Sequence, residues 1–431
     1  MKNNIKFSRE IPYYGHFDVI VFGGGPAGVC AAIEAAEADK KVLLVEATGM
    51  LGGMATSGLV GPFMTCYDRD GNVPVVGGIF RRIVDNLKQY NGVFEPEELD
   101  SPSIHTSFIE KYHRHVTAFD SFALQLVLDE MTEAAGVNVM LYTRFADCVC
   151  KNNKIERAVL CALEGLVAVD ADVYIDCTGN ADVAAAAGVY TYKGEEQSGV
   201  PQPGTLMFEV SGVKDEGFLE RSSRPELPVK AYRTPLEGKY KVNHYRVFGV
   251  DATNSQSMTN AHIKARKQVM DAYDVLRNRT QGFENSKIAQ VAPVLGVRES
   301  RHIEGKYKIT IDDITNGTKF DDRIATYGYG LDVHPRNDKE SGNFKIEVAN
   351  RYYIPYRSLI PEGCDNLLVA GKTISCQSQA AGGLRCMPCA MSMGQAAGAA
   401  AALAVTDNCT PYNVDIIKLQ TVLKEKGAIL D

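Results

Sequence analysis

Apolar and polar positions in the first 50 residues of the chain follow the pattern of alternating strands and helices. Residues 17–22 form a short apolar run rich in β-branched side chains, 23–28 are rich in glycine, and 29–38 are rich in alanine. A second apolar run, 42–45, ends at Glu46. A strand, a turn, a helix and a strand in this order predict one β-α-β unit of a parallel sheet.

The same alternation returns at distant points of the chain. Apolar residues with helical spacing occupy 119–135. Alanine, glycine and methionine dominate 386–405, which predicts a helix packed closely against another backbone. Short runs typical of strands lie at 137–142, around 148–150, and at 158–163, 173–176 and 366–369. The α/β part of the protein is therefore expected to be assembled from separate segments.

Two stretches of different composition lie between these segments. Residues 61–117 and 201–359 are rich in aromatic, charged and proline residues, and we expect them to form one inserted α+β cap domain. The chain has 431 residues, which exceeds the roughly 100 to 200 residues of a usual domain. Its length therefore agrees with two domains.

Charge and composition exclude some classes of molecule as binding partners of the protein. A net charge of −7 argues against nucleic acid, because proteins that bind it carry a clustered basic excess. We find no apolar signal core at the start and no run of ~18 apolar residues that could span a bilayer, so we expect a cytoplasmic protein with no membrane span. The 11 cysteines are expected to be reduced thiols. Cys386 and Cys389 form a CxxC without a second pair, so no metal is expected.

A glycine fingerprint joins the first predicted strand to the first helix. The sequence Gly23-Gly24-Gly25-Pro26-Ala27-Gly28 matches GxGxxG, and Glu46 closes the next strand. In this pattern the first glycine permits a tight turn, the second lets the backbone approach a pyrophosphate, and the third allows close packing of helix on strand. The helix N-terminus supplies N–H donors for the phosphates, and Glu46 can accept hydrogen bonds from the ribose. The candidate ligands of the dinucleotide are Gly23, Gly25, Pro26, Ala27, Gly28 and Glu46.

The fingerprint suits both NAD(P) and FAD, and the residues that follow it favour FAD. Between Glu46 and Gly58 the chain has mostly small residues and must turn repeatedly, which leaves room for an extended cofactor. Simple dehydrogenases have no need of such a loop.

Five separated motifs resemble those of the FAD-dependent oxidoreductases of the glutathione-reductase-like superfamily, in particular a bacterial family with LGGMAT-type loops. Besides the loop itself, the motifs lie at 176–182, at 296–301, at 354–357 together with the following 366–371, and at 393–398. The resemblance implies a Rossmann-like, three-layer α/β domain that binds FAD, made of 15–60, 118–200 and 360–431, and a substrate or cap domain made of 61–117 and 201–359.

The resemblance also implies which residues line the cofactor. Segment 382–387 is expected beside the flavin ring, and the helix after Pro388 is expected to point its N-terminus at the pyrimidine edge of the ring. The residues implied in addition to those above are Ala47, Gly52, Gly53, Met54, Thr56, Thr178, Gly179, Gly371, Gly383, Cys386 and Met387.

The sequence departs from the family pattern at two positions. Lys372 and His302 stand where arginine is common, and His302 leaves the substrate chemistry open. The candidate catalytic residues are Arg298, Arg301 and His302, with the two arginines expected to hold negative charge near the flavin. Their segment suits a helix or an extended chain equally well. Candidates for acid–base work are the histidines His105, His113, His115, His244, His302 and His334.

The last expectations concern how FAD is attached to the protein and which molecule exchanges electrons with it. We expect non-covalent FAD because 51–60 contains no His, Cys or Tyr, although Cys66 and Tyr67 lie close in sequence. No second GxGxxG follows a strand, so a separate electron donor or acceptor is possible. The sequence predicts an enzyme that transfers a hydride between a small polar metabolite and flavin N5. The alternatives are a reductase of an activated C=C bond, similar to fumarate reductase, or a non-catalytic FAD-binding redox subunit.

Overall fold

The computed structural model describes residues 8–94, 115–214, 229–340 and 346–431. Its strands are β1 Tyr13–Phe22, β2 Val42–Val45, β3 Val93–Phe94, β4 Ala118–Phe119, β5 Asn138–Met140, β6 Arg144–Lys151, β7 Lys154–Ala162, β8 Gly165–Asp176, β9 Thr191–Lys193, β10 Phe208–Ser211, β11 Ala231–Arg233, β12 Tyr240–Val242, β13 Lys287–Val291, β14 Arg301–Ile303, β15 Arg323–Tyr327, β16 Tyr352–Pro355 and β17 Leu367–Val369. Its α-helices are α1 Pro26–Ala36, α2 Gly78–Leu87, α3 Ser121–Ala134, α4 Asp182–Ala186, α5 Ser255–Arg279, α6 Ile311–Asn316, α7 Ala381–Leu384, α8 Met387–Thr406 and α9 Ile416–Glu425.

Within the described residues the main sheet has seven strands, and it confirms the predicted α/β, Rossmann-like fold. Four neighbours, β5, β2, β1 and β8, run parallel to one another. The first half of β8 also pairs antiparallel with β7, and its last residues pair parallel with β17. Because β1, β8 and β17 end at the same edge of the sheet, the turns that follow them come together there.

The predicted elements of this sheet are present, with shifted ends. α1 begins at Pro26, three residues before the predicted start, because a proline in the first helical position has the required φ and needs no N–H partner. β2 covers the predicted residues 42–45, and β8 begins at Gly165, well before the predicted strand at 173–176. The extra residues of β8 are those that pair with β7.

Helix α8 packs closely on α1, as its small residues predict. A Cβ at Gly394 would lie 2.0 Å from the backbone oxygen of Ala27, and one at Gly398 would lie 2.3 Å from that of Ala31. Contrary to the expectation from the sequence, α8 is long and apolar enough to pass as a membrane span, with a mean hydropathy of 1.3. However, 78% of that window is buried inside the protein, as is typical of a core helix.

A second, antiparallel sheet lies in the predicted cap. Its four strands are ordered β11-β12-β10-β13, and α5 packs on it through Ala261, Ala265 and Leu276. By contrast, α2 and the β15–β16 pair share the core of α1 and α8, although both lie in stretches assigned to the cap from composition. The domain limits stay a prediction, and the four-stranded sheet with α5 is the part of the cap that has a core of its own.

Candidate active site

Each glycine of the fingerprint is required for a different structural reason. Gly23 has a φ of +94°, and a Cβ there would lie 2.5 Å from the carbonyl oxygen of Cys177. A Cβ at Gly28 would lie 1.8 Å from the oxygen of Gly23, so α1 can approach β1 only with glycine at that position. At Gly25 a Cβ would meet nothing within 4 Å. Open space in front of Gly25, at the N-terminus of α1, is the cradle that a pyrophosphate requires.

Glu46 ties this turn to the next strand. Its Oε2 accepts a hydrogen bond from Gly24 N at 2.7 Å, and its Oε1 accepts bonds from the N–H and hydroxyl of Thr48 at 2.7 and 2.8 Å. The side chain is buried, with 8% of the residue exposed. Because a carboxylate has about four acceptor sites, these bonds leave capacity for a ribose hydroxyl.

The other predicted cofactor residues surround the same cradle. Gly53 has a φ of +51°, and a Cβ there would lie 2.9 Å from the Cα of Gly25, so the loop after Glu46 closes on the fingerprint. A Cβ at Gly371, after β17, would lie 3.4 Å from the Cβ of Ala27. The backbone therefore brings three distant motifs together at one edge of the sheet, and it fits a dinucleotide.

The polar side chains of these loops bond within the protein. The Thr56 hydroxyl donates to Leu51 O at 2.5 Å, and the Thr178 hydroxyl donates to Asp176 at 2.8 Å. Ala47 is exposed, and Gly383 is buried where a Cβ would lie 2.5 Å from the hydroxyl of Tyr352. The roles of the individual residues in binding FAD stay a prediction.

A cavity of about 730 Å³ opens beside this cradle. Met54, Cys386 and Met387, three of the predicted cofactor residues, are part of its lining, so the N-terminus of α8 borders the cavity. The lining also contains residues from the cap sheet and neighbouring loops, including Lys230, Tyr232, Asn243, His244, Arg246, Arg298, Asp332 and His334.

Asp332 and His334 form a hydrogen-bonded pair in this cavity. His334 Nε2 lies 3.0 Å from Asp332 Oδ2, and Arg385 donates to the same carboxylate oxygen at 3.1 Å. Burial alone would raise the pKa of Asp332, but His334, Arg385 and Arg298 hold it well below its usual range. Burial and the charge of Arg298 lower the pKa of His334 to about 3. Asp332 is therefore ionised and His334 neutral near pH 7.

Arg298 is the one predicted catalytic residue that lines the cavity. It donates hydrogen bonds to Pro203 O at 2.8 Å and to the hydroxyl of Thr205 at 2.7 Å. Burial, followed by the charge of Arg385, lowers its pKa to about 9. The guanidinium is thus held in place beside like charges.

The structure places Arg301 and His302 outside the cavity lining. Both lie in the extended strand β14, where Arg301 bonds to Asn180 O at 3.1 Å and to Asp182 at 2.9 Å. His302 is fully buried, with Nε2 3.7 Å from Glu299 and Nδ1 3.2 Å from Ile374 O. Arg298 lies in the loop before β14, and the different partners of the two arginines show that their side chains have different surroundings.

Several cavity residues were not singled out from the sequence. Lys230, Arg246, Tyr232 and Asp332 belong to no motif, and no local signal marks them. Of the candidate histidines, His244 and His334 line the cavity, and His115 stacks on Tyr67 with ring centroids 4.6 Å apart. His105 and His113 lie outside the described residues.

A Rossmann-like sheet with an open glycine cradle and an adjoining polar cavity defines a dinucleotide-dependent enzyme. The family model for FAD-dependent oxidoreductases matches residues 18–423, which is nearly the whole chain. The protein belongs to this family, and its cofactor is FAD.

More distant similarities agree with this assignment. Short stretches match dihydrolipoyl dehydrogenase from Trypanosoma brucei brucei, at 49% identity over 47 residues, and soluble pyridine nucleotide transhydrogenase from Marinomonas sp. (strain MWYL1), at 51% over 41 residues. These matches cover 11% and 10% of this chain and 10% and 9% of the two relatives, so the chain spans about a tenth of the length of either.

Solved structures share the fold. The flavin-dependent brominase Bmp2 superposes with a TM-score of 0.51 at 13% identity, covering 95% of this chain and 83% of that one. The p-nitrophenol 4-monooxygenase PnpA from Pseudomonas putida superposes with a TM-score of 0.51 at 9% identity, covering 96% and 87%. At these identities the similarity concerns the fold alone.

Proposed function

We propose that the protein transfers a hydride between a small polar molecule and N5 of the flavin in the cavity of about 730 Å³. The observation that carries this proposal is the composition of the cavity wall. The wall combines Met54, Cys386 and Met387, from the segments expected beside the cofactor, with polar and charged groups such as Arg298, Asp332 and His334. When bound, FAD supplies the group that accepts or gives a hydride.

In this proposal His334 handles the proton. Since Asp332 is ionised, the 3.0 Å contact requires a hydrogen on Nε2 of His334, and its Nδ1 then carries a lone pair. Nδ1 is buried and has no hydrogen-bond partner among the described residues. A buried nitrogen with a pKa of about 3 is a weak base in the ligand-free protein. In this proposal a bound substrate therefore has to offset the charge of Arg298 before Nδ1 takes the hydroxyl proton of an alcohol, or returns it in the opposite direction.

Arg298 stabilises negative charge in the same cavity. Its bonds to Pro203 and Thr205 fix the guanidinium before a substrate arrives, which is the condition for electrostatic stabilisation without reorganisation. Arg301 and His302 have no part in the proposed mechanism, because their partners lie within the protein outside the cavity.

We also propose that FAD is held without a covalent bond, in a fold of the glutathione-reductase-like superfamily. The glycine turn, the acidic residue after β2 and the parallel sheet support the superfamily. Cys66 and Tyr67, the nearest candidates for attachment, are not among the residues that line the cavity. Acid precipitation should release the flavin into the supernatant, whereas flavin in the precipitate would contradict this part of the proposal.

The function is tested by anaerobic mixing of the purified protein with hydroxy acids, sugars, amines and enoates. Bleaching of the oxidised flavin band by a hydroxy compound is expected, and His334→Asn should slow that bleaching by about 10²- to 10⁴-fold with FAD still bound. If dithionite-reduced protein were instead reoxidised by an enoate, and no compound bleached the oxidised form, the protein would be a C=C reductase and the proposed direction would be wrong.

A further inference from the structure

We propose that the substrate is a small carboxylate, and that Lys230, Arg246 and Arg298 form the subsite that binds its anionic group. This inference rests on the proposed function, because it names the substrate class of the same cavity. It draws on two residues of the cap, Lys230 and Arg246, that no sequence motif marks.

The backbone holds the three cations at fixed positions. Lys230 directly precedes β11, and its carbonyl accepts a hydrogen bond from Asn243 N at 2.9 Å, which extends the pairing of β11 with β12. Arg246 follows β12, and its carbonyl accepts a bond from Gln268 of α5 at 3.2 Å. Since Arg298 is bonded to Pro203 and Thr205, all three side chains start from ordered elements around one space.

Positively charged side chains predominate in the lining of this cavity. Five cationic side chains line the cavity: Lys230, Arg246, Arg298, Lys372 and Arg385. Of the acidic residues in the lining, Asp332 is already bonded to His334 and Arg385. Glu340 is exposed and accepts bonds from Arg336 N and Asn337, and Asp338 is also exposed. The lining therefore contains more cationic than acidic side chains.

In the ligand-free protein, burial and neighbouring positive charges lower the pKa of Lys230 and that of Arg298. Burial lowers the pKa of Lys230, and the charges of Arg246 and Arg298 lower it further against the opposing effect of Asp332. Among the described residues, Lys230 Nζ has no hydrogen-bond or ion-pair partner. Desolvated like charges destabilise a protein unless an opposite charge neutralises them, and a bound anion would supply that charge.

The surroundings suit a carboxylate better than a phosphate. Phosphate sites typically use a helix N-terminus or a row of backbone N–H groups, whereas these three cations lie beside strands β11 and β12 and in the loop before β14. Apolar side chains in the same wall, Met207 and Phe248, can contact a short carbon skeleton. A small hydroxy acid or related carboxylate fits both features.

Binding tests the subsite directly. The FAD-loaded protein is titrated with lactate, malonate and succinate, with their neutral amides and with inorganic phosphate, by calorimetry and by the shift of the flavin absorbance. We expect at least one carboxylate to bind at least 10-fold more tightly than its amide. Lys230→Met and Arg246→Met should each weaken that binding by about 10- to 100-fold. Lys267→Met, which removes an exposed lysine of α5, should leave it unchanged.

Thermal unfolding of the ligand-free variants separates binding from structure. Lys230→Met should keep or raise the midpoint, because it removes a cation from a group of cations. A lower midpoint together with unchanged carboxylate binding would overturn the subsite, as would phosphate binding more tightly than every carboxylate. Carboxylate binding without flavin reduction would contradict the proposed function and leave the subsite standing. Flavin reduction by a neutral compound, with no carboxylate bound, would overturn the subsite and leave the proposed function standing.

Discussion

At the scale of single residues, Glu46 has a structural task besides the one expected from its position. It was expected to accept hydrogen bonds from a ribose, and it also holds Gly24 and Thr48 through three short bonds. These bonds connect the fingerprint turn to the loop after β2. The shape of the cradle therefore depends on this carboxylate before any cofactor binds.

Glu46→Gln should weaken FAD binding by about 1 to 3 kcal/mol, because an amide cannot accept at both ends and its bonds lack charge assistance. Fluorescence titration of the FAD-free protein with FAD measures this loss. Glu133→Gln on the exposed side of α3 makes the same chemical change far from the cradle and should have no effect. Equal affinity in both variants would show that Glu46 does not shape the site.

The sequence predicted the backbone chemistry of single residues better than the surroundings of charged side chains. The fingerprint glycines follow from local geometry, since turn, close packing and open space each require a missing Cβ at Gly23, Gly28 and Gly25. By contrast, the partners of Arg301 and His302 come from Asp182 and Ile374, more than 70 positions away. A local pattern has no information about such partners.

At the scale of elements, the contact of α1 with α8 supports the cradle from behind. The glycines of α8 allow its axis to approach the backbone of α1, whose N-terminus faces the open space at Gly25. Any change that separates the two helices should therefore move the N-terminus of α1 as well.

Gly398→Ala should destabilise the protein by about 1 to 3 kcal/mol, because the new methyl would meet the backbone oxygen of Ala31 at 2.3 Å and neither helix can yield easily. The urea midpoint measures the loss. Ser392→Ala, at a less buried position of the same helix, should change stability by under about 0.5 kcal/mol. If Gly398→Ala were as stable as the parent, the close contact of the helices would be wrong.

The sequence predicted the central strands β2 and β17 closely because their apolar runs are buried on both faces. β2 lies at the predicted residues, and β17 begins one residue after the predicted start. Strands of the cap, such as β11 and β12, are only three residues long, which is too short for a periodic pattern to appear. Their pairing depends on tertiary contacts with β10 and α5.

At the scale of the whole molecule, histidines of the cavity link stability to pH. Burial, followed by the charges of Lys230 and Arg246, lowers the pKa of His244 to about 4, and that of His334 is about 3. Both are neutral in the folded protein but take up a proton below about pH 6.5 when it unfolds. Their contribution to stability is therefore complete above pH 6.5 and is lost as the pH falls towards 4.

His244→Gln should reduce this acid sensitivity. Between pH 6.5 and 4.5 the free energy of unfolding of this variant should fall less steeply than that of the parent. The two slopes should differ by at most about 1.4 kcal/mol per pH unit, and by less than this because His244 is partly exposed. Thermal unfolding at a series of pH values measures the slopes. Parallel slopes would mean that His244 titrates normally in the folded protein.

The position of the cavity depends on the whole molecule and was not predictable from any one segment. Lys230, Arg298 and Asp332 are separated by 34 or more positions in sequence, and they meet only because the cap sheet packs beside the main sheet. The cofactor side could be predicted because its glycines carry a local signal. On the substrate side the sequence singled out Arg298, His244 and His334 but not Lys230, Arg246 or Asp332.

The central claim is that hydride transfer takes place in this cavity, and the two arginines of one motif test it most directly. Arg298 lines the cavity, whereas Arg301, three residues later, pairs with Asp182 outside it. Single-turnover flavin reduction by stopped flow is measured for Arg298→Met and Arg301→Met, both loaded fully with FAD. Arg298→Met should raise the activation barrier by about 2 to 4 kcal/mol, which slows flavin reduction on the order of 30- to 1000-fold. Arg301→Met should change the rate of flavin reduction by less than about 3-fold. An unchanged rate in Arg298→Met, or an equal loss in Arg301→Met, would contradict the claim.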